Sequence, residues 1–412
     1  MAKRMSLGQS TSFFDSDVLD NPHKVSIARL AADETDSDSH ETAESKAQAL
    51  SQHRDSIAKG IDIASEKGKA AAEGFVFAFD IDGVLVRGGE PIPEAIEAMK
   101  MLDGENEWNV AVSHIFLTNG GGKSEEQRCE DLSKQLGRAI DPAQFICGHT
   151  PMRELSEKYK TVLVVGGEGE ACRKVAESYG FEDVVTPGDI IKFNSATAPF
   201  RNLTPEEYAN SRIRDFENVV IDAIFVFADS RDWASDIQIM VDLAMSKAGH
   251  VGTVSDTFDE GPPVYFSHND IVWSAAHQHV RLGMGALRRM FEVIFKDLTK
   301  GKGKLRTHAF GKPQVSTFQF ASRFMNNWRA REHGLVPPPK TIYFVGDTPE
   351  SDICGTNAVN EVSKDDWYSI LVKTGVYRDG TEPTYKPRII VDTVLDAVKH
   401  GIEREMKTEE AA

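Results

Sequence analysis

Cysteine is scarce in this chain. There are four in 412 residues, Cys129, Cys147, Cys172 and Cys354, and no two form a Cys-x-x-Cys pair. This excludes a disulfide frame and a cysteine-rich zinc site, and it fits reduced intracellular thiols. Long apolar runs are missing as well. No stretch approaches the roughly 20 apolar residues that span a bilayer, so no membrane span is expected. Positive charge is in short supply: 47 Lys and Arg stand against 64 Asp and Glu, a net charge of -17. A phosphate backbone needs a basic face, so nucleic acid is excluded as the principal partner. A small anionic ligand is still compatible where basic residues gather locally. No secretory signal is visible.

What is present supports a folded enzyme-sized body. Hydrophobic residues make up 40% of the chain, and the length accommodates two or three domains. Residues 1–73 differ from the rest, with 13 acidic and 9 basic residues and only two aromatics, Phe13 and Phe14. The run Asp33-Glu34-Thr35-Asp36-Ser37-Asp38 cannot bury enough apolar surface to offset its ordering entropy. A flexible acidic tail is expected over 1–73, with helical tendency in 53–73. Residues 1–14 carry Lys3, Arg4 and several hydroxyls but no acid, a short presequence-like pattern that the acidic run weakens.

The stretch Phe77-Ala78-Phe79-Asp80-Ile81-Asp82-Gly83-Val84-Leu85 organises the remainder. An apolar run entering an Asp-x-Asp-Gly turn predicts a buried parallel strand, whose carboxyl end is where ligands collect in such sheets. A second strand, Val110 to Leu117, ends in Thr118-Asn119-Gly120-Gly121-Gly122-Lys123-Ser124 and then a helix. Free backbone N–H groups and a helix dipole suit an anion there. Further strands are expected at Thr161–Val165, Ala223–Ala228 and Pro263–Ser267, with residues 187–217 a long polar excursion. Gly311-Lys312-Pro313 places a lysine between a glycine and a helix-starting proline. Thr341–Val345 runs into Gly346-Asp347-Thr348-Pro349-Glu350-Ser351-Asp352, and Ser369–Val372 meets Lys373-Thr374-Gly375-Val376. This alternation predicts an α/β fold with a parallel sheet.

Four strand ends or turns thus each offer a different tool: the carboxylates Asp80 and Asp82, the Thr118 hydroxyl beside free amides, the Lys312 cation, and the carboxylates Asp347 and Asp352. Clustered carboxylates call for a hard divalent cation, and Mg²⁺ suits a site that also borrows phosphate oxygens. A carboxylate nucleophile, a metal, a lysine and an amide cradle together suit phosphoryl transfer.

In this order the four motifs resemble the haloacid dehalogenase superfamily of phosphohydrolases. Thr118 lies 38 residues after Asp80, and Lys312 lies 194 after Thr118. That long insert is similar to the subclass with an α/β cap, the NagD and p-nitrophenylphosphatase-like group (subfamily IIA). Asp232-Trp233, the segment Tyr265–Trp273, Arg281–Ala286 and Gly311-Lys312-Pro313 resemble the cat-eye-syndrome critical region protein family. The likeness covers about residues 75–405. It implies a Rossmann-like core over 74–147 and 284–405 with an α/β cap over 148–283.

The resemblance also implies roles. Asp80 would be the nucleophile, forming an aspartyl-phosphate, and Asp82 the general acid and then base. Thr118, Asn119, Gly120 and Lys312 would hold the phosphoryl group. Mg²⁺ would be bound by Asp80, the Asp82 carbonyl and Asp347, with Asp352 bracing that set. Asn269 and Asp270, ending a cap strand, are candidates for substrate contact, and capping of the next element is the plainer reading. His268, His277 and His279 lack ligand-spaced partners and read as surface or packing residues. The expected partner is a small phosphorylated metabolite, and a homodimer is compatible. Members of that branch are often assigned to mitochondria, with the cytoplasm the alternative. A low-turnover binding or scaffold protein and a phosphotransferase linked to phospholipid metabolism are the rival functions.

Overall fold

The computed structural model describes residues 73–275 and 277–411. All of them fall in one compact unit. The expected acidic tail lies outside the described residues except for Glu73.

Phe75–Phe79 forms an inner strand of a six-stranded sheet, and all five residues are fully buried. Across the sheet the order is Ile389–Val391, Asp366–Val372, Thr341–Gly346, Phe75–Phe79, His114–Leu117 and Phe145–Ile146. Every neighbouring pair is parallel. Such a strand is covered on both faces, so its sequence cannot alternate polar and apolar. Phe75, Phe77 and Phe79 pack with Met99 and Leu102 of the helix Pro93–Leu102 and with Val398 and Ile402 of the helix Val394–Ala411. Val76 and Ala78 face the other layer, with Phe318, Ala321 and Met325 of the helix Val315–His333. Burying one Phe side chain contributes about 1.5–3 kcal/mol, so three in one strand hold the sheet's centre firmly. The expected strand Val110–Leu117 pairs only over His114–Leu117. Val110 instead donates its N–H to Asn106 Oδ1, at 3.2 Å.

The chain leaves this sheet after Phe145–Ile146 and builds a second one. Its order is Thr307–Ala309, Val264–Phe266, Ala223–Val226, Thr161–Val165 and Asp183–Val185, again all parallel. The fold is therefore α/β, a Rossmann-like core carrying an inserted α/β cap. The cap boundary expected at 283 lies too early. Met284, Leu287, Phe291 and Phe295 recur at helical spacing along Met284–Leu298 and bury in the apolar core of the second sheet. Thr307–Ala309 then pairs with Val264–Phe266. Thr-His-Ala is too short and polar to announce a strand by pattern.

The polar excursion expected over 187–217 contains two short helices, Pro187–Phe193 and Pro205–Asn210. Each begins with proline and a capping box, Thr186 with Asp189 and Thr204 with Glu207. Asp189 is fully buried and takes two bonds of 2.8 Å from the Arg173 guanidinium, which is why a polar stretch can sit inside the cap. Among the described residues no helix is long and apolar enough to cross a membrane.

The cap meets the core at the glycine-rich loop that follows His114–Leu117. A Cβ on Gly121 would lie 2.4 Å from the Phe227 carbonyl oxygen and 2.9 Å from the His149 ring. Only glycine lets the loop and the cap strand end touch. Gly121→Ala is expected to destabilise the protein by about 1–3 kcal/mol, as overpacking does. Gly74→Ala, whose Cβ meets nothing within 4 Å, should change stability little. Urea denaturation of the two variants checks the contrast.

Candidate active site

The strand Phe75–Phe79 ends at Asp80, which is held by three groups. Its N–H donates to the Val345 carbonyl of the neighbouring strand at 2.9 Å. Its Oδ1 accepts the Ile81 N–H at 2.8 Å. The same oxygen lies 2.8 Å from the Lys312 ammonium. Burial lifts the Asp80 carboxyl well above the usual carboxylate range; the Lys312 charge draws it down, and Asp352 and Asp347 add to the rise.

Lys312 is almost fully buried and stands between two carboxylates, Asp80 and Asp352, each at 2.8 Å. Burial disfavours its charge, but Asp352 and Asp80 outweigh that and keep it above the ordinary lysine value. Asp352 is fixed from the other side as well. Its Oδ2 accepts the backbone N–H groups of Asp347 and Thr348, each at 3.0 Å. Burial, then the neighbouring Asp352 charge, pushes Asp347 up to about 7. The closing turn wraps Asp347: Val376 N–H donates to its Oδ2 at 2.6 Å, and a Cβ on Gly375 would come within 1.8 Å of that oxygen. No other residue fits at that position without moving the carboxylate.

Asp80, Asp347 and Asp352 each present one oxygen, all within 4.8 Å of one another. An all-oxygen, negatively charged donor set with carboxyls lifted by burial fits a hard divalent cation. Asp352 spends one oxygen on Lys312 and the other on two amides, and Asp347 takes one bond on each oxygen, from the Thr348 hydroxyl and the Val376 N–H, so Asp80 Oδ2 is the freest oxygen of the set.

Thr118 and Asn119 lie at the neighbouring strand end, both buried. Thr118 Oγ1 accepts the Gly120 N–H at 2.9 Å, which leaves the hydroxyl proton free to donate. The Gly120 amide, expected to face an anion, is thus used within the loop. Asn119 is the junction of the site. Its Oδ1 accepts the Lys312 N–H at 2.8 Å, and its Nδ2 donates to the Lys312 carbonyl at 3.0 Å and to Asp270 Oδ2 at 2.8 Å. Asp270 therefore reaches the core directly. Burial raises its carboxyl, against the pull of His268 and the Asn119 bond. Asn269 turns elsewhere, its Oδ1 accepting from Arg288 Nη1 at 3.2 Å. His277 and His279 are exposed.

A second network fastens the glycine loop to the cap. Glu125 Oε1 accepts from Thr150 Oγ1 and from the Tyr179 hydroxyl, each at 2.6 Å. Tyr179 also meets His149 Nδ1 at 2.7 Å, and His149 Nε2 lies 3.1 Å from the Lys123 carbonyl. A carbonyl only accepts, so Nε2 carries the proton. Burial lowers the His149 pKa.

Residues 77–182 match a family described as haloacid dehalogenase-like hydrolase, and residues 309–397 match a HAD-hydrolase-like family. A mitochondrial hydrolase of Saccharomyces cerevisiae is 37% identical over 351 residues, covering 80% of this chain and 95% of the relative. The chain belongs to the haloacid dehalogenase-like hydrolases. A cardiolipin synthase (CMP-forming) / mitochondrial hydrolase fusion protein of Schizosaccharomyces pombe is 38% identical over 330 residues. That match covers 80% of this chain but only 53% of the fusion protein, about half its length. Among solved structures, a possible sugar phosphatase from Cytophaga hutchinsonii aligns with a TM-score of 0.54 at 19% identity, over 80% of this chain and 97% of that one. A hypothetical protein from Pyrococcus horikoshii aligns with a TM-score of 0.53 at 19% identity, over 79% and 99%. At that identity these two share the fold.

Asp80, Thr118, Asn119, Lys312, Asp347, Asp352 and Asp270 converge in this hydrolase. Asp82 lies on the turn just beyond, its side chain 43% exposed and its Oδ2 bordering the same open space at Gly120 as Thr118 Oγ1. Two contributors escaped the pattern: the Val376 amide that fixes Asp347, and Arg128, whose Nη2 lies 3.8 Å from Asp82 Oδ2. The Thr374-Gly375-Val376 turn was a usable signal for the first. For Arg128 there was none, because an arginine on an exposed helix is ordinary.

Removing the central cation leaves two buried carboxylates uncompensated. Lys312→Met is expected to cost about 3–5 kcal/mol at pH 8. The cost should shrink at pH 5, where Asp80, already raised by burial, takes up a proton and sheds its charge. Chemical denaturation at the two pH values checks it. An equal loss at both would mean that Lys312 does not offset charge.

Proposed function

We propose that this hydrolase is a Mg²⁺-dependent phosphatase of small phosphate monoesters that works through an aspartyl-phosphate on Asp80. The observation that carries the reading is the buried Asp80–Lys312–Asp352 group at the end of the inner strand, beside Asp347. Asp80 and Asp347 carboxylates with the Asp82 carbonyl would hold Mg²⁺, braced by Asp352. When bound, the ion would offset charge on the phosphoryl oxygens and between the carboxylates.

The chain's own residues supply the rest. Asp80 Oδ1 is engaged by Ile81 N–H and Lys312, so Oδ2 is the attacking atom. Oδ2 bonds to phosphorus as the ester P–O bond breaks, and Asp82 protonates the departing alkoxide. Asp82 then takes a proton from water, whose oxygen attacks phosphorus and frees Asp80 and phosphate. Lys312 and the Thr118 hydroxyl hold the phosphoryl oxygens. The cap excludes water and supplies specificity, with Asp270 tying it to Asn119. The mitochondrial names of two relatives support a mitochondrial location. The fusion relative favours one further reading: that the substrate or phosphoryl acceptor belongs to phospholipid metabolism.

Asp80→Asn should abolish release of phosphate from a panel of esters and leave the melting temperature close to the parent. Turnover persisting in that variant sinks the mechanism. Mg²⁺ should raise the melting temperature more at pH 8 than at pH 5, because Asp347, at about 7, must shed its proton to bind. Asp347→Asn should remove most of that gain. Asp270→Ala should alter the ranking of esters more than the melting temperature; a uniform loss for every ester would make Asp270 structural.

A further inference from the structure

Beside Asp82 a cleft of about 430 Å³ opens between the hairpin carrying Val86 and Gly89 and the helix Glu125–Leu136. Its charged lining is Asp82, Lys123, Arg128, Asp131 and Lys134. Three cations against two carboxylates make a local positive excess in a chain of net charge -17. Lys123 is held by Asp131 at 2.6 Å. Arg128 is held far less. Its 3.8 Å separation from Asp82 exceeds hydrogen-bond range, and its Nε is enclosed with no hydrogen-bond partner among the described residues. A guanidinium whose nearest carboxylate is beyond hydrogen-bond range keeps donor capacity on its outer nitrogens for a further partner.

The position of the guanidinium says where such a partner would sit. A Cβ on Gly120 would lie 3.1 Å from Arg128 Nη2, 3.2 Å from Thr118 Oγ1 and 3.6 Å from Asp82 Oδ2. One point is therefore within reach of the guanidinium, of the hydroxyl of the anion loop and of the exposed carboxylate, and glycine keeps it open.

We infer that Arg128 binds a second anionic group of the substrate, so that the substrate class is a phosphate monoester whose alcohol portion bears a carboxylate or another phosphate. This rests on the phosphatase reading. Lys312 serves the transferring phosphoryl group and is committed to Asp80 and Asp352. Asp82 meets the ester oxygen, so whatever lies beyond that oxygen lies on the side of Asp82, where Arg128 and Lys134 stand. A guanidinium fork matches a carboxylate or phosphate with two parallel bonds. A neutral alcohol would leave it without an acceptor. Arg128 is then a specificity residue supplied by the core.

The test separates this inference from the phosphatase reading by measuring binding in the Asp80→Asn protein, with Mg²⁺, by calorimetry. The probes are 3-phosphoglycerate and glycerol 3-phosphate, which differ by a carboxylate against a hydroxymethyl group. The carboxylate ligand should bind about tenfold tighter or more. Adding Arg128→Gln should bring the two affinities together by weakening only 3-phosphoglycerate, and Arg128→Lys should restore part of the difference. Equal affinities in the parent, an equal loss of both ligands with Arg128→Gln, or no binding of either probe would each overturn the inference. An affinity difference that depends on Arg128, in a wild-type protein that hydrolyses no ester, upholds the anion site and removes the phosphatase reading alone.

Discussion

A single ammonium group between two buried carboxylates sets the terms for this molecule. Lys312 lies 2.8 Å from both Asp80 and Asp352 and is withdrawn from solvent. Three carboxylates within 4.8 Å could not share that space as anions without a cation. The surrounding backbone is arranged to keep the lysine in place. Asn119 clamps its N–H and carbonyl, and Asp352 is pinned by two amides of the adjoining strand end. The two sheets are joined at this point too, because Asn119 also holds Asp270 of the cap. Charge balance, loop position and cap contact therefore depend on one small group of atoms.

Much of the fold could be read from apolar runs that stop abruptly at polar turns. Phe75–Phe79 and Thr341–Gly346 are covered on both faces, and continuous apolar sequence is the direct consequence of that burial. Asp80, Thr118 and Asp347 were legible because each follows such a run, and Lys312 from its place between Gly311 and Pro313. The cap's last strand was not, since Thr307, His308 and Ala309 are only half-buried and carry no alternation. The helix Met284–Leu298 was recognisable as a helix, but nothing in its stripe says which of two sheets it covers. Local capping turned the polar stretch around Pro187 and Pro205 into helices, a short-range effect that composition alone conceals.

Within the site, the parts that sequence could not supply are contacts across long chain separations. Asn119 and Asp270 are 151 residues apart, and no spacing rule links them. The same holds for Val376 and Asp347, joined through a turn whose glycine is needed for close approach. Three consecutive glycines, Gly120, Gly121 and Gly122, follow Asn119 in the loop. Their reason is now mechanical: the cap strand end presses against the loop at Gly121. Residue type identified the chemistry, and packing decided which groups are free to perform it.

The strand order has a bearing on biosynthesis. Phe75–Phe79 lies between a partner that follows soon, His114–Leu117, and one that arrives only with Thr341–Gly346. During translation the whole cap is made before the second partner leaves the ribosome. Until then an all-apolar strand has one unpaired edge, the kind of edge that recruits other chains. The cap, whose sheet is complete by Ala309, can fold first. The buried charge cluster assembles last, since Asp347 and Asp352 follow the late strand, and a nascent chain that stalls before it carries Asp80 without the groups that surround it in the folded protein.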